Sequence, residues 1–282
     1  MSAYANVHIA LEQMRVRALS KARGSPLPPG EDADPKLCEA PRVLILGPEN
    51  AGKTTVAKIL TNYAVRGGQI WTPLLANVDP SEGAWAIPGT LSVTPVSTAI
   101  PTYSPASPLG FAATSAPLVS ASHQHVPLAY WYGHSDTKRN PLLLDRLIRN
   151  LGENINDKFD LNPEAKAAGI IVDTPASFAS NSTPAEHRQK LIKACVDAFR
   201  KTMAPSSALP VGAARAVSEM QPVRVNAASP GSGLLNAVLA VLAPPNPDEN
   251  ERYDEEILDL TVTGFIYMWV DTLSAGMGAA EG

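Results

Sequence analysis

Residues 41–66 read PRVLILGPENAGKTTVAKILTNYAVR, and this stretch decides the fold. The apolar run at residues 43–46 is typical of a strand buried on both faces of a sheet. Residues 47–54 then match the pattern G-x-x-x-x-G-K-[ST] of a phosphate-binding loop. After Lys53, apolar residues recur at intervals of three and four, which predicts an amphipathic helix that ends at glycines 67 and 68. Strand, glycine loop and helix follow one another in the order that this motif requires.

The chemistry of such a loop is nucleotide binding. Backbone N–H groups of the loop converge on phosphate oxygens, and the start of the helix adds partial positive charge at the same point. We predict that Lys53 neutralises the β- and γ-phosphates and that the Thr54 hydroxyl is a ligand of Mg²⁺. The alternative is a glycine turn that binds no nucleotide. The predicted nucleotide-binding residues are Gly47, Asn50, Ala51, Gly52, Lys53, Thr54 and Thr55.

Composition narrows the class of protein. The chain has 282 residues, a formal net charge of −4 and two cysteines, Cys38 and Cys195. This acidic balance gives no overall basic field for nucleic acid, so any RNA contact would have to be local. Two cysteines are too few for a disulfide framework and are typical of a reducing compartment. No apolar run reaches the roughly 18 residues of a membrane span, and no secretion signal is recognisable. We therefore expect a protein of the cytosol or nucleus that does not enter a membrane.

Two aspartates come directly after further predicted strands. Asp79 follows the apolar residues 74–78, and Asp173 follows residues 169–172. At that position Asp79 is a candidate base for the proton of a 5′-hydroxyl, or a Mg²⁺ ligand through water. Asp173 has the usual position of the magnesium-binding aspartate of P-loop proteins, again through water. The alternative for Asp79 is a turn-initiating role before Pro80.

The remaining pattern predicts an α/β fold, in which a P-loop NTPase parallel sheet is flanked by helices. Amphipathic helices are expected at residues 2–23, 140–158 and 183–199, and they alternate with the strands. Residues 83–135 contain no Asp, Glu, Lys or Arg and are rich in Ala, Ser, Thr and Pro. They are either low-complexity disorder or a long ordered loop laid over the nucleotide domain.

The character of the chain changes after residue 200, where Ser, Ala and Pro become frequent. A short helix at 234–242 and a half-exposed strand from residue 258, continued at 265–270, predict a small mixed α+β C-terminal region. The predicted organisation is an N-terminal helix and linker at 1–40, a P-loop nucleotide-binding domain at 41–205 and an incomplete C-terminal domain at 206–282.

Residues 130–139 read YWYGHSDTKR, an aromatic cluster followed by a basic pair. Aromatic platforms with nearby cations suit single-stranded nucleic acid. Aromatic residues beside a strand are also common in cores, and Lys138 and Arg139 would then be a solvated helix start. Both interpretations stay open. The histidines and the two cysteines show no metal-binding spacing, so no metal site made of protein ligands is expected.

Several of these strings together resemble a known family: the polynucleotide 5′-hydroxyl-kinase-like subunit of the pre-mRNA cleavage and polyadenylation machinery, in its fungal form. The resemblance rests on residues 4–15 of the first helix, the loop GPENAGKTT, NVDPSEG at 77–83, YGH at 132–134 with NP at 140–141, and VDTP at 172–175. It implies a nuclear, ATP-bound cleavage-factor subunit of mRNA 3′-end formation. It also implies docking to a partner subunit that carries an RNA-polymerase-tail-binding domain. Animal relatives phosphorylate RNA 5′-hydroxyls, whereas fungal relatives resemble ATP-holding scaffolds.

The same resemblance implies segments that this chain does not show. Family members have a β-sandwich before the first helix, and a strand with an arginine-bearing lid between the positions of residues 200 and 201. The C-terminal β region also differs near Met268. Sandwich and lid stabilise charge at the transferred phosphate, so little kinase activity is expected without them.

Three hypotheses follow. The first is an ATP-binding, scaffold-type component of mRNA 3′-end processing. The second is a working ATP-dependent RNA 5′-hydroxyl kinase in which Lys53 and Asp79 are catalytic. The third is a P-loop NTPase of unrelated role, for instance a GTPase-like switch, which the lack of an N-K-x-D string disfavours.

Overall fold

A mixed β-sheet with helices on both faces organises the protein. The computed structural model describes residues 2–25, 38–67, 69–101, 109, 111–112, 124–179, 183–200 and 266–269. The helices are α1 (Ser2–Arg23), α2 (Lys53–Arg66), α3 (Pro141–Leu161), α4 (Pro163–Ala167) and α5 (Ala185–Arg200), with a 3₁₀ turn at Ala176–Phe178. The strands are β1 (Arg42–Leu46), β2 (Leu74–Asn77), β3 (Thr90–Pro95), β4 (Phe111–Ala112), β5 (Gln124–His125), β6 (Leu128–Trp131), β7 (Ile170–Asp173) and β8 (Ile266–Trp269).

Six strands form the main sheet in the order β6-β3-β2-β7-β1-β8. The four strands β2, β7, β1 and β8 are parallel to one another, as in a P-loop NTPase. The predicted α/β class with a P-loop sheet flanked by helices is confirmed. The strands β3 and β6 add an antiparallel edge that the sequence analysis did not predict. A separate parallel pair joins β4 and β5.

The antiparallel edge corrects the interpretation of residues 83–135. Leu91 and Val93 are buried on the face of β3 that packs with α3 and α5, and Thr90, Ser92 and Thr94 alternate onto the opposite face. Low-complexity disorder and a long ordered loop are therefore both wrong for residues 90–95 and 128–131. Prolines exclude a long helix in this segment, but they do not exclude short strands at a sheet edge.

Helices cover both faces of the sheet. On one face, apolar side chains of α3 and α5 pack on alternate residues of the strands, among them Leu44 and Val172. On the other face, α1 and α2 pack on Ile45 and Ile171. The helices α3 and α5 approach closely at Gly152, where a Cβ atom would overlap the backbone of Ala198.

Helix α1 is fixed on the P-loop layer by buried polar contacts. Arg15 is 1% exposed, and its Nε donates to the carbonyl of Ala168 at 3.0 Å. Its Nη1 lies 3.5 Å from Glu12, and the other oxygen of Glu12 accepts from Trp71 Nε1 at 2.6 Å. Burial lowers the pKa of Arg15 to about 10, and Glu12 opposes this shift, so the guanidinium stays charged at neutral pH.

The segment after β3 is tied to α2 by one amide side chain. Asn62 Nδ2 donates to the carbonyl of Ile100 at 3.0 Å, and the N–H of Ile100 donates to Asn62 Oδ1 at 2.7 Å. Both atoms of the amide are thus used by one residue of the neighbouring segment.

The C-terminal part contributes one described strand. β8 lies next to β1 in the main sheet and coincides with most of the predicted strand at 265–270. The predicted helix at 234–242 and the predicted strand from residue 258 lie outside the described residues, and the predicted domain boundaries stay a prediction. Among the described helices, none combines the length and the apolar composition needed to cross a membrane.

Candidate functional site

The phosphate-binding loop connects the buried strand β1 to α2. Asn50 and Gly52 adopt left-handed conformations, with φ of 61° and 86°, which turn the chain sharply into the first turn of α2. Lys53 is the first residue of that helix and is 8% exposed. Its Nζ donates to the carbonyl of Pro48 at 2.9 Å, so the ammonium group lies over the loop. The binding of phosphates by Lys53 and the other residues of the loop stays a prediction.

Thr54 joins the loop to the carboxyl end of β7. Its Oγ1 donates to Asp173 Oδ2 at 2.7 Å, and Oε2 of Glu82 lies 3.4 Å from the same hydroxyl. Asp173 is 1% exposed, and its second oxygen, Oδ1, is buried without a hydrogen-bond partner among the described residues. A buried carboxylate whose one oxygen is bonded to a P-loop threonine and whose other oxygen has no partner is suited to accept from the water shell of a cation.

The environment of Asp173 disfavours its ionised form. Burial raises the pKa of this carboxyl to about 7, and the negative charges of Asp79 and Glu82 add to the rise. The hydrogen bond from Thr54 and the charge of Lys53 act in the opposite direction. A divalent cation at this point would reverse the balance, because it stabilises the carboxylate.

Asp79 begins a tight turn after β2. Its N–H donates to Asn77 Oδ1 at 2.7 Å, and its Oδ1 accepts from the N–H and the Oγ of Ser81 at 2.9 and 2.6 Å. The turn-initiating role is thus realised, and it fixes the half-buried carboxylate at the same edge of the sheet as Asp173. The two roles weighed for Asp79 are compatible, and its role as base or ligand stays a prediction.

A row of buried polar side chains continues from Asp173 across the sheet. Asn77 is in register with Asp173 on one side and with Ser92 on the other. All three are at most 1% exposed, and each has one polar atom without a hydrogen-bond partner among the described residues: Asp173 Oδ1, Asn77 Nδ2 and Ser92 Oγ. A buried polar atom without a protein partner is commonly satisfied by a bound water molecule or ion.

Glu82, Asn77 and Ser92 also lie at this site, although they were not predicted there from the sequence. Glu82 stands inside the string NVDPSEG, but the distance to Thr54 depends on the turn that follows β2. Asn77 could have been predicted as a site residue, because it is a polar residue among apolar neighbours at the end of a strand, two residues before Asp79. Ser92 could not, since β3 itself was not predicted.

The aromatic segment at 130–139 contains both a buried and an exposed aromatic side chain, and its contact with nucleic acid stays a prediction. Tyr132 is 2% exposed, and its Oη accepts from the N–H of Asn140 at 3.0 Å, which makes it a core residue. Trp131 is 61% exposed. Thr137 Oγ1 donates to Ser177 Oγ at 2.9 Å and attaches the loop to the segment after β7.

These features define a P-loop nucleotide-binding domain: a buried strand, a glycine loop and a helix follow one another, and a hydroxyl–aspartate pair lies at the carboxyl edge of a parallel sheet. The family model described as the P-loop of mRNA cleavage and polyadenylation factor CLP1 matches residues 47–197. A second model, pre-mRNA cleavage complex II protein Clp1, matches residues 185–272. The chain belongs to the Clp1 family. This confirms the resemblance and excludes a P-loop NTPase of unrelated role.

Fungal relatives agree with this assignment. The chain is 53% identical to the mRNA cleavage and polyadenylation factor CLP1 of Laccaria bicolor, in an alignment that covers 94% of the chain and 75% of the relative. It is 37% identical to the factor of the same name from Aspergillus niger, over 64% of the chain and 34% of the relative. The Laccaria alignment has 366 positions and the chain has 282 residues, so at least 84 positions have no residue here.

Two solved structures share the fold. The wild-type complex of Clp1p with part of Pcf11p matches with a TM-score of 0.64 at 20% identity and covers 98% of this chain and 49% of that one. A structure concerned with the extended Pcf11p–Clp1p interface, and with ATP loss in a point mutant, matches with a TM-score of 0.53 at 26% identity. The match covers 69% of this chain and 40% of the chain in that structure.

Proposed function

We propose that this protein is an ATP-binding, scaffold-type subunit of the nuclear machinery that cleaves and polyadenylates mRNA 3′ ends. The observation that carries the proposal is the 2.7 Å hydrogen bond between Thr54 and the buried Asp173, directly after the P-loop lysine. In a family whose members are named for mRNA cleavage and polyadenylation, this pair supports nucleotide binding as the property of the P-loop domain.

Each residue of the site has a role in this proposal. The loop amides and Lys53 bind the β- and γ-phosphates of ATP, and Gly47, Asn50, Ala51, Gly52 and Thr55 shape or line the loop. The hydroxyl of Thr54 would be a ligand of Mg²⁺, and Asp173 would hold the ion through water. The unpartnered Oδ1 of Asp173 supports the fit, because a water molecule of the cation's shell would satisfy it. Bound Mg²⁺ would neutralise the charge of the phosphates.

The partner in this proposal is a cleavage-factor subunit with a domain that binds the polymerase tail. The support is that solved relatives of this fold are complexes of Clp1p with Pcf11p. Nucleotide binding then stabilises the P-loop and the surfaces next to it, since a ligand that binds only the folded state raises stability.

RNA 5′-hydroxyl kinase activity is the second candidate, and the geometry of Asp79 favours it. Ser81 orients one oxygen of the carboxylate, and the residue is half-buried at the same edge of the sheet as Lys53 and Thr54. A carboxylate at that place can accept the proton of a 5′-hydroxyl. We rank it second because the resemblance implies that fungal relatives are ATP-holding scaffolds.

ATP binding tests the first part of the proposal. We expect Lys53→Ala to weaken ATP affinity by about a hundredfold in the presence of Mg²⁺, since it removes a charge that directly contacts the polyphosphate. Lys190→Ala, an exposed lysine on α5, is the matched control and should bind as the unchanged chain does. Isothermal titration of both variants gives the affinities. An unchanged chain without measurable ATP affinity would contradict the proposal.

Two further measurements separate scaffold from kinase. Transfer of radiolabel from the γ-phosphate of ATP to a 5′-hydroxyl RNA, abolished by Asp79→Asn, would favour the kinase. Absence of transfer, together with co-elution of the chain with a Pcf11-type subunit, supports the scaffold. Absence of both would count against the scaffold role even if ATP binds.

A further inference from the structure

An exposed tryptophan lies at the edge of the sheet where the P-loop is. Trp131 is the last residue of β6 and is 61% exposed. It pairs in register with Thr90, the first residue of β3, which lies beside the carboxyl end of β2. Residues in register share a face, so Trp131 lies on the face of the sheet that carries Asn77 and Asp173. Two strand spacings, together about 10 Å, separate β6 from β2.

Two glycines hold the indole in place. Gly89 and Gly133 have φ of 90° and 82°, a conformation that side chains other than glycine rarely adopt. A Cβ at Gly89 would lie 3.2 Å from Cζ3 of Trp131, and a Cβ at Gly133 would lie 3.2 Å from Nε1. Both ends of the ring system thus contact glycine backbone, and its position is defined although most of it is exposed.

The loop that carries Asp79 also positions this tryptophan. The N–H of Gly89 donates to the carbonyl of Pro80 at 2.7 Å. The carbonyl of Gly89 accepts from the N–H groups of Tyr132 and Gly133 at 2.8 and 3.0 Å. Asp79 and Trp131 are therefore connected through one short chain of backbone hydrogen bonds.

Cations lie on the loop that leaves the tryptophan. Residues 132–137 cross from β6 to the segment after β7, where Thr137 bonds to Ser177. The exposed Lys138 and Arg139 follow at that end. Along this edge the turn of Asp79, after β2, therefore lies between the indole on β6 and the two cations beyond β7.

The other described tryptophans with side-chain data differ from Trp131. Trp85 is 4% exposed and its Nε1 donates to the carbonyl of Leu109 at 2.7 Å; Trp71 is 6% exposed and donates to Glu12. These are core residues with satisfied polar atoms, as expected for buried tryptophan. Trp131, in contrast, is mostly exposed and does not belong to the core.

We propose that Trp131 is a stacking platform for one base of a single-stranded RNA whose 5′ end lies at Asp79 and whose phosphates face Lys138 and Arg139. The proposal rests on the proposed function for the choice of RNA, and it names the residue that binds a base. Every base has a π-face, so the platform tolerates any sequence. Charge complementarity between the two cations and a phosphate backbone favours a polynucleotide over an apolar peptide.

Oligonucleotide affinity of the full chain tests the platform. The probe is a 3′-fluorescein RNA of about eight nucleotides with a 5′-hydroxyl, followed by fluorescence anisotropy. Trp131→Ala should bind it about tenfold more weakly, and Trp131→Phe should retain most of the affinity, because stacking needs only a ring. Leu142→Ala, which truncates a side chain that is 84% exposed on α3, is the matched control and should not change it. All variants should melt at the temperature of the unchanged chain.

Abasic probes give a signature that a merely structural role would not produce. Removal of one base near the 5′ end should weaken binding to the unchanged chain about tenfold and leave binding to Trp131→Ala unaltered. The dependence of affinity on salt should be the same for both proteins, since the phosphate contacts are kept. Arg139→Ala should make that dependence less steep.

Several outcomes would overturn the inference. One is that Trp131→Ala and the unchanged chain bind RNA with equal affinity. Another is that the unchanged chain binds ATP but no RNA. A third is that Trp131→Ala still binds RNA but no longer binds a protein partner. Failure of the unchanged chain to bind ATP would contradict the proposed function instead, and the RNA comparison would still decide the role of Trp131.

Discussion

The parallel strands β1, β2 and β7 and the antiparallel strand β3 belong to one sheet, yet their side chains differ. The parallel strands β2 and β7 are apolar on both faces until their carboxyl ends, where Asn77 and Asp173 appear, and β1 is apolar after Arg42 at its start. β3 is apolar on one face only, and its other face carries Thr90, Ser92 and Thr94, all buried. In β2 and β7 the polar residue is the last one of the strand, whereas β3 carries polar residues along its whole length.

This difference shows how the site is extended beyond the P-loop. The parallel strands provide the hydrophobic support and place two polar residues at the loop edge. The polar face of β3 continues that row toward β6 and Trp131. The P-loop part thus determines where phosphates bind, and the antiparallel edge provides the surface beside them.

Two glycine substitutions test the difference most strongly. Gly83→Ala, in the turn between β2 and β3, introduces a Cβ at a φ of 71° and 2.5 Å from the backbone of Ile87 and Pro88. We expect a loss of about 3 kcal/mol in the free energy of unfolding. Gly52→Ala, in the P-loop, has a similar φ of 86° but nothing within 4 Å, and should lose only about 1 kcal/mol. Chemical denaturation measures both. Equal losses would show that the turn before β3 adapts as easily as the P-loop.

Asp173→Asn tests the buried end of the parallel part through pH. The pKa of Asp173 is raised to about 7 by burial and then by Asp79 and Glu82. An unfolded aspartate titrates near pH 4, so between about pH 4 and 7 the folded state binds more protons. The free energy of unfolding should therefore fall as the pH rises through this range, by on the order of 2 kcal/mol from pH 5 to 7 without nucleotide.

The variant should lose that dependence, and its stability should vary less with pH. His8 and His187 titrate in both proteins, and their effect cancels in the comparison. Identical pH profiles from denaturation curves would mean that Asp173 is ionised in the folded protein throughout the range.

Asn62→Ala removes the connection between α2 and the segment after β3. The N–H and carbonyl of Ile100 would each lose a partner, and we expect a cost of about 1.5 kcal/mol. Hydrogen exchange should show the loss at β3 and β6 rather than at β1 and β7. Asp157→Ala is the control, since the side chain of Asp157 is exposed on α3. A uniform loss of protection over the whole sheet would show that the two parts unfold together.

Glu82→Gln gives the smallest expected effect. Its carboxylate is exposed and lies 3.4 Å from the Thr54 hydroxyl, which suits contact with the cation's water shell. We expect the Mg²⁺ concentration for half-maximal ATP binding to rise about tenfold, with ATP binding at saturating Mg²⁺ unchanged. Glu153→Gln on α3 is the matched control. If both variants respond to Mg²⁺ in the same way, Glu82 does not act on the cation.

The sequence was sufficient to predict the parallel strands and the P-loop, where the local pattern of residues is unambiguous. Residues 43–46 and 170–172 are continuous apolar runs, because both faces of those strands are buried, and the P-loop has a fixed order of residues. β3 was missed because Thr90, Ser92 and Thr94 alternate with only two apolar residues among neighbouring prolines. Glu82 was missed for a different reason: its proximity to Thr54 arises from the tertiary position of a turn, which no local pattern encodes.

The close approach of α3 to α5 limits how this protein can diverge. A side chain at position 152 would meet the carbonyl of Ala198 and not its methyl group alone. A substitution on α5 changes a side chain and leaves the backbone carbonyl in place. A mutation of Gly152 therefore cannot be compensated by a second mutation at the contact. We therefore expect substitutions at position 152 to be selected against. As long as this residue stays glycine, the close spacing of α3 and α5 is kept.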